Sequence, residues 1–166
     1  EMGPDKIDFS LLLTHPATDP DINATVKGGL ALDRIKQWYS FAPGTKLDGH
    51  LDADLVVNGR KSMIDQKKYA QVQTTGQVIV NDLLYATKEY SGGLELKNAQ
   101  FAITPKEISI TKATGAFQGT GFQANGKLTN AIGYALNDES LAGNLQVKAD
   151  KVNLNSWMGT QETKDT

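Results

Sequence analysis

Apolar and polar residues alternate through most of this chain, most clearly between Ser91 and Ala149. In Leu94-Glu95-Leu96-Lys97, Ile108-Ser109-Ile110, Phe122-Gln123-Ala124-Asn125-Gly126-Lys127-Leu128 and Leu145-Gln146-Val147-Lys148-Ala149, every second side chain can be buried while its neighbours stay in water. Gly, Asn and Pro separate these runs, so the pattern predicts an antiparallel sheet with one apolar face.

The same pattern extends toward the N-terminus. Ile7, Phe9, Leu11 and Leu13 share a parity, which makes Lys6 to Leu13 a predicted strand before a Pro- and Asp-rich loop from Thr14 to Asp21. Alternation resumes through Ile22, Ala24, Val26, Gly28, Leu30 and Leu32, then gives way to helical spacing with Ile35, Trp38 and Tyr39 at i, i+3 and i+4. Asp33 is placed to cap that short helix. Leu47 to Val57 reads as a long half-buried strand ending at Asn58-Gly59, with Asp48, His50, Asp52 and Asp54 on its wet side.

Arg60 to Gln73 is more polar and predicts an irregular helical turn, and Thr75 to Val80 is a further strand continuing unevenly through Leu83, Leu84 and Tyr85. Leu94 and Leu96 are even-numbered whereas Ala99, Phe101 and Ile103 are odd, a slip that a β-bulge at Asn98 would absorb. Thr104-Pro105-Lys106-Glu107 suits a tight turn, and Gly115 to Gly121 is dense enough in glycine for another turn or a bend. Leu141 to Ala149 is the last predicted strand. A short helical turn around Trp157 is expected after it, so residues 1–158 read as one β-rich domain and residues 159–166 as a polar, disordered tail. Gly29-Leu30-Ala31-Leu32 before Trp38-Tyr39 and Gly143 to Val147 before Trp157-Met158 look alike, a hint of internal repetition.

Composition narrows the classes of function. At 166 residues the chain is the size of one domain. Lys and Arg number 17 against 19 Asp and Glu, with no basic block, which tells against nucleic acid as a partner. Cysteine is absent, which removes disulfides, thiol catalysis and Cys-based metal sites. No purely aliphatic run is longer than Leu11-Leu12-Leu13, far short of the roughly 20 residues a membrane-spanning helix needs. The chain opens on Glu1 without a signal-like leader, so it is expected to be a piece of a longer protein whose export signal or anchor lies upstream.

Catalytic chemistry finds little support. A zinc site needs several convergent ligands, and the chain has only His15 in a Pro-rich loop and His50 on the polar parity of a strand. No nucleophile-elbow sequence accompanies His50. Asp52 and Asp54 read as a solvated face rather than a glycosidase pair or calcium ligands, and Asp19-Pro20-Asp21 and Asn137-Asp138-Glu139 as turn chemistry. The glycines from Gly115 to Gly126 lack the spacing of a dinucleotide fingerprint. Asn23-Ala24-Thr25 fits a glycosylation sequon of the kind that arises by chance. No catalytic, cofactor-binding or metal-binding residue is assigned.

The apolar face has two readings. Alternation alone favours an ordinary core, between two sheets or between a sheet and its short helices. In the other reading part of the face stays open and holds acyl chains, as a half-pipe.

An ordered series of segments resembles the C-terminal region of the AsmA family, most nearly its Bacteroidetes-type members. These are Tyr90-Ser91-Gly92-Gly93-Leu94-Glu95-Leu96, Ala99-Gln100-Phe101-Ala102-Ile103-Thr104-Pro105-Lys106, Gly115-Ala116-Phe117 and Gly126-Lys127-Leu128-Thr129-Asn130. Ile132-Gly133-Tyr134-Ala135-Leu136, Leu141-Ala142-Gly143-Asn144-Leu145 and Val152 to Met158 continue the order, so the resemblance covers about Leu47 to Met158. It implies a segment of a large protein of outer-membrane biogenesis, anchored in the inner membrane of a Gram-negative bacterium and projecting into the periplasm. It also implies an all-β fold: a curved antiparallel meander sheet forming an open groove or half-barrel for phospholipid. On that reading the lining candidates are Leu94, Leu96, Ile108, Ile110, Phe122, Leu128, Leu145 and Val147, and the chain is not an enzyme. Its expected partners are phospholipid acyl chains, neighbouring β-repeats of the same full-length protein and envelope proteins. The alternatives are a structural module whose sheet edges pair with neighbouring repeats or envelope proteins without lipid, and an envelope glycan hydrolase.

Overall fold

The computed structural model describes residues 6–131, 134 and 139–151. Eight antiparallel strands form one open sheet in chain order, with no crossover. They are β1 (Ile7–Thr14), β2 (Asp21–Ala31), β3 (Lys46–Arg60), β4 (Gln73–Ala86), β5 (Leu94–Ile103), β6 (Glu107–Phe117), β7 (Thr120–Thr129) and β8 (Ala142–Ala149). The tight turns after β5 and β6 make this order natural there, because a strand followed by a tight turn pairs with its predecessor before any other. Pro105 and Lys106 link β5 to β6, where the Thr104 amide donates to the Glu107 carbonyl at 2.9 Å. Between β6 and β7 the turn contracts to Gln118 and Gly119, whose φ of 48° and 80° suit the two central positions of a hairpin turn. The expected turn over Gly115 to Gly121 is therefore narrower than its glycines suggest, and Gly115 lies within β6.

Pairing register carries single rows of apolar residues across the whole sheet. One row runs Ile7, Gly28, Ala53, Val78, Phe101, Ile110, Gly126, Leu145, one residue from each strand in order. The next runs Phe9, Val26, Leu55, Gly76, Ile103, Ile108, Leu128, Gly143. Three strands change parity without leaving this face. The register slips between Leu96 and Asn98, where the numbering predicts a bulge, and again on β6 between Ile110 and Ala113. On β4 the extra residue is Asp82, at a φ of 50°, opposite the slip between Asp48 and His50. Each extra residue returns the following apolar side chain to the same side.

The core is small and lies under the connection between β2 and β3. A 3-10 turn over Leu32–Gln37 folds back on the apolar face, so that Leu32, Leu47, Val80, Ala99 and Ala113 cluster together with Ile35 and Phe41 packed against them. The helix expected here is thus a tight turn, and its N-cap position is Ala31, with no side-chain cap. Asp33 sits inside the first turn. Ile35 packs inward as its spacing predicts, but Trp38 and Tyr39 stay 71% and 63% exposed. A second helical piece, α1 (Lys61–Asp65), and a 3-10 turn over Tyr69–Gln71 fill the polar segment before β4. The turn expected around Trp157 and the tail over 159–166 lie outside the described residues.

Candidate functional site: an uncovered apolar face

All eight lining candidates stand on one face. Ile108 opposes Leu128, Ile110 opposes Gly126 and through it Leu145, and Ala124 opposes Val147. Leu96 reaches Phe122 through Gly115, and Leu94 lies opposite Phe117. Leu94, Leu96, Ile108, Ile110, Phe122 and Leu128 are half-buried, whereas Leu145 and Val147 are 49% and 52% exposed. Leu96 and Ile110 also rest against the central cluster, so they serve the core as well as the face.

No second sheet covers this face among the described residues, which decides against the two-sheet core that alternation alone favours. The connection carrying Ile35 and Phe41 shields the part around Leu47, Val80 and Ala99. Beyond it the face is open on both sides, at Phe9 (64% exposed), Leu11 (52%) and Leu13 (50%) of β1 as well as on β8. The lining set drawn from the C-terminal half therefore leaves out β1 to β4, where the alternation is less regular. What was missing was the register that joins them to the same rows.

A hollow of about 230 Å³ at one end of the face is walled by Ile103, Ile108 and Leu128, with Ala70, Pro105 and Lys106 around it. A larger hollow, about 550 Å³, lies where Glu95, Lys97, Gln123, Lys148 and Asp150 line the polar side. Phe122, Ala116 and Ala149 line it as well, so its wall is mixed and size alone does not identify the lipid-competent surface.

The polar face carries ion pairs rather than a reaction centre. His15 Nδ1 lies 3.0 Å from Asp21 Oδ2, and Arg60 Nε donates to Asp21 Oδ1 at 3.1 Å. The His15 contact, with help from Arg60, holds the Asp21 carboxyl below its ordinary range. Asp19 accepts from the Ser62 hydroxyl at 2.6 Å and the Ser62 amide at 2.9 Å, which lower its pKa in that order of effect. Lys127 Nζ donates to Glu107 at 2.7 Å and keeps it ionised to lower pH. His50 sits 3.4 Å from Asp52, and Asp54 3.4 Å from Lys27, as a solvated strand face would arrange them. Among the described residues no group of three or more His, Asp or Glu converges on a common point. No described helix is long and apolar enough to cross a membrane.

Compared with known proteins, the chain matches no protein-family profile, no curated protein and no solved structure.

Proposed function

We propose that this chain is a non-catalytic, lipid-binding segment of an AsmA-like cell-envelope protein, taking phospholipid acyl chains along the apolar face of its sheet. The observation that carries the reading is an apolar face continuous across all eight strands yet half-exposed at both ends. Water is a poor partner for such a surface, at about 25 cal/mol per Å² of apolar area, and acyl chains would remove it without needing a specific polar pocket. The ordered AsmA-like segments from Leu47 to Met158 support a periplasmic setting, tethered to the inner membrane and engaged in outer-membrane biogenesis.

Leu145→Asp and Val147→Asp test this directly, because both side chains are about half-exposed and a carboxylate there stays hydrated in the folded chain. The protein purified from cells is expected to yield phospholipid on organic extraction, and either variant to retain markedly less at unchanged circular dichroism. Equal phospholipid in wild type and variants, or none in the wild type, would refute the proposal.

A further inference from the structure

Among the described residues both outer strands of the sheet are open, and they have the same length. β1 and β8 each run for 8 residues. An edge strand presents unpaired N–H and C=O groups, which proteins ordinarily blunt with charge, proline or a bulge. β1 has no proline and no slip in its register with β2, and Asp8 is its one charge. At Leu11, Leu12 and Leu13 it is apolar on both faces, at 52%, 60% and 50% exposure. Leu12 points to the opposite, largely polar side, where a neighbouring strand would give it cover.

We propose that β1 pairs antiparallel with β8 of a second copy of this chain, head to tail, so that the meander continues across the junction. Directly opposed residues share a face, so the apolar parity of β1 must meet the apolar parity of β8. The register that engages both strands over their full length sets Ile7 against Ala149, Phe9 against Val147, Leu11 against Leu145 and Leu13 against Gly143. On the polar side it sets Asp8 against Lys148. Asp8 already begins a row of alternating charge, with Lys27 opposite it and Asp54 opposite Lys27. Lys148 of the second copy extends that row by one member of the correct sign.

Charge favours this register over the competing arrangements. Sliding the two strands by one pleat repeat leaves Asp8 opposite Gln146 in one direction and Asp150 in the other. Pairing β1 with itself places Asp8 against Leu12 or Thr14, and pairing β8 with itself gives Lys148 no acidic partner. The favoured contact joins two different surfaces, so each added copy leaves one β1 and one β8 free to pair again until the sheet closes on itself.

The test uses lipid-stripped full chain, which separates it from the lipid reading. Light scattering at low salt is expected to show a mass that rises with concentration past the dimer. Lys148→Asp, whose own-sheet neighbour is the neutral Gln123, should weaken association about three- to tenfold. The double variant Asp8→Asn/Lys148→Asp, which removes the like-charge pair without setting a lysine against Lys27, should regain part of it, with circular dichroism confirming that both variants fold. A monomer at every concentration, association unchanged in Lys148→Asp, or a folded double variant without recovery would each overturn the pairing.

Discussion

Gly76 and Gly126 stand at φ of +140° and +151° within strands, conformations that cost a residue with a Cβ dearly. A Cβ at Gly76 would also come within 2.0 Å of the Asp54 carbonyl oxygen across the β3–β4 pair. Gly76→Ala should therefore lower stability by about 1–3 kcal/mol, read as a shift in the urea midpoint at constant slope. The acidic residues give a second expectation at this scale. Asp19, Asp21 and Glu107 all have lowered pKa values in the folded chain, so the unfolded chain binds protons more readily in the carboxylate range. Their contribution is complete above the unfolded values, about pH 4, and is lost as pH falls through the folded ones. Urea midpoints should thus drop between pH 6 and pH 3, and Ser62→Ala, which removes the hydroxyl partner of Asp19, should make the drop shallower. An equally steep drop in that variant would remove Asp19 from the account. Asp19 and Asp21 are legible in the sequence as turn residues, but their partners Ser62 and Arg60 are not, because only strand pairing brings them close.

At the scale of elements, parity located strands well and their ends less well. The bulge between Leu96 and Asn98 is visible in the numbering because a face that must stay apolar leaves a mark when an extra residue intrudes. The 3-10 turn over Leu32–Gln37 is less legible, since the spacing of Ile35, Trp38 and Tyr39 also fits an α-helix. Its short length follows from its task, which is to lay Leu32 and Ile35 on the sheet rather than to present a long face. Leu32 is only 6% exposed, so Leu32→Ala should cost about 2–4 kcal/mol. Loosening this cover should also raise binding of a hydrophobic dye by the native variant. Chemical denaturation and dye fluorescence check the two effects separately, and no change in stability would mean that the connection does not hold the core.

At the scale of the whole molecule, the chain exposes 11633 Å². A compact protein of its mass would expose about 8,000 Å². A single-layer sheet contributes to that excess, and among the described residues no large side chain is fully buried. A ligand that covers the apolar face binds the folded chain and not the unfolded one, so a phospholipid or long-chain fatty acid should raise the melting temperature. At a hundredfold excess over its Kd the gain is about 2.7 kcal/mol. A melting temperature indifferent to lipid would show that the face is stable in water by itself.

The sequence alone determined that this is a β-protein, because period-two alternation can be satisfied only by a pleated strand with one side buried. It also determined that the lining candidates share a side, since parity is a local property. Tertiary structure decided that Phe9 and Leu145, at opposite ends of the chain, belong to the same face, and that among the described residues no second sheet covers it. Alternation records that a side chain prefers shelter. Only the register of strands and the placement of the β2–β3 connection decide where shelter exists and where the face is left open.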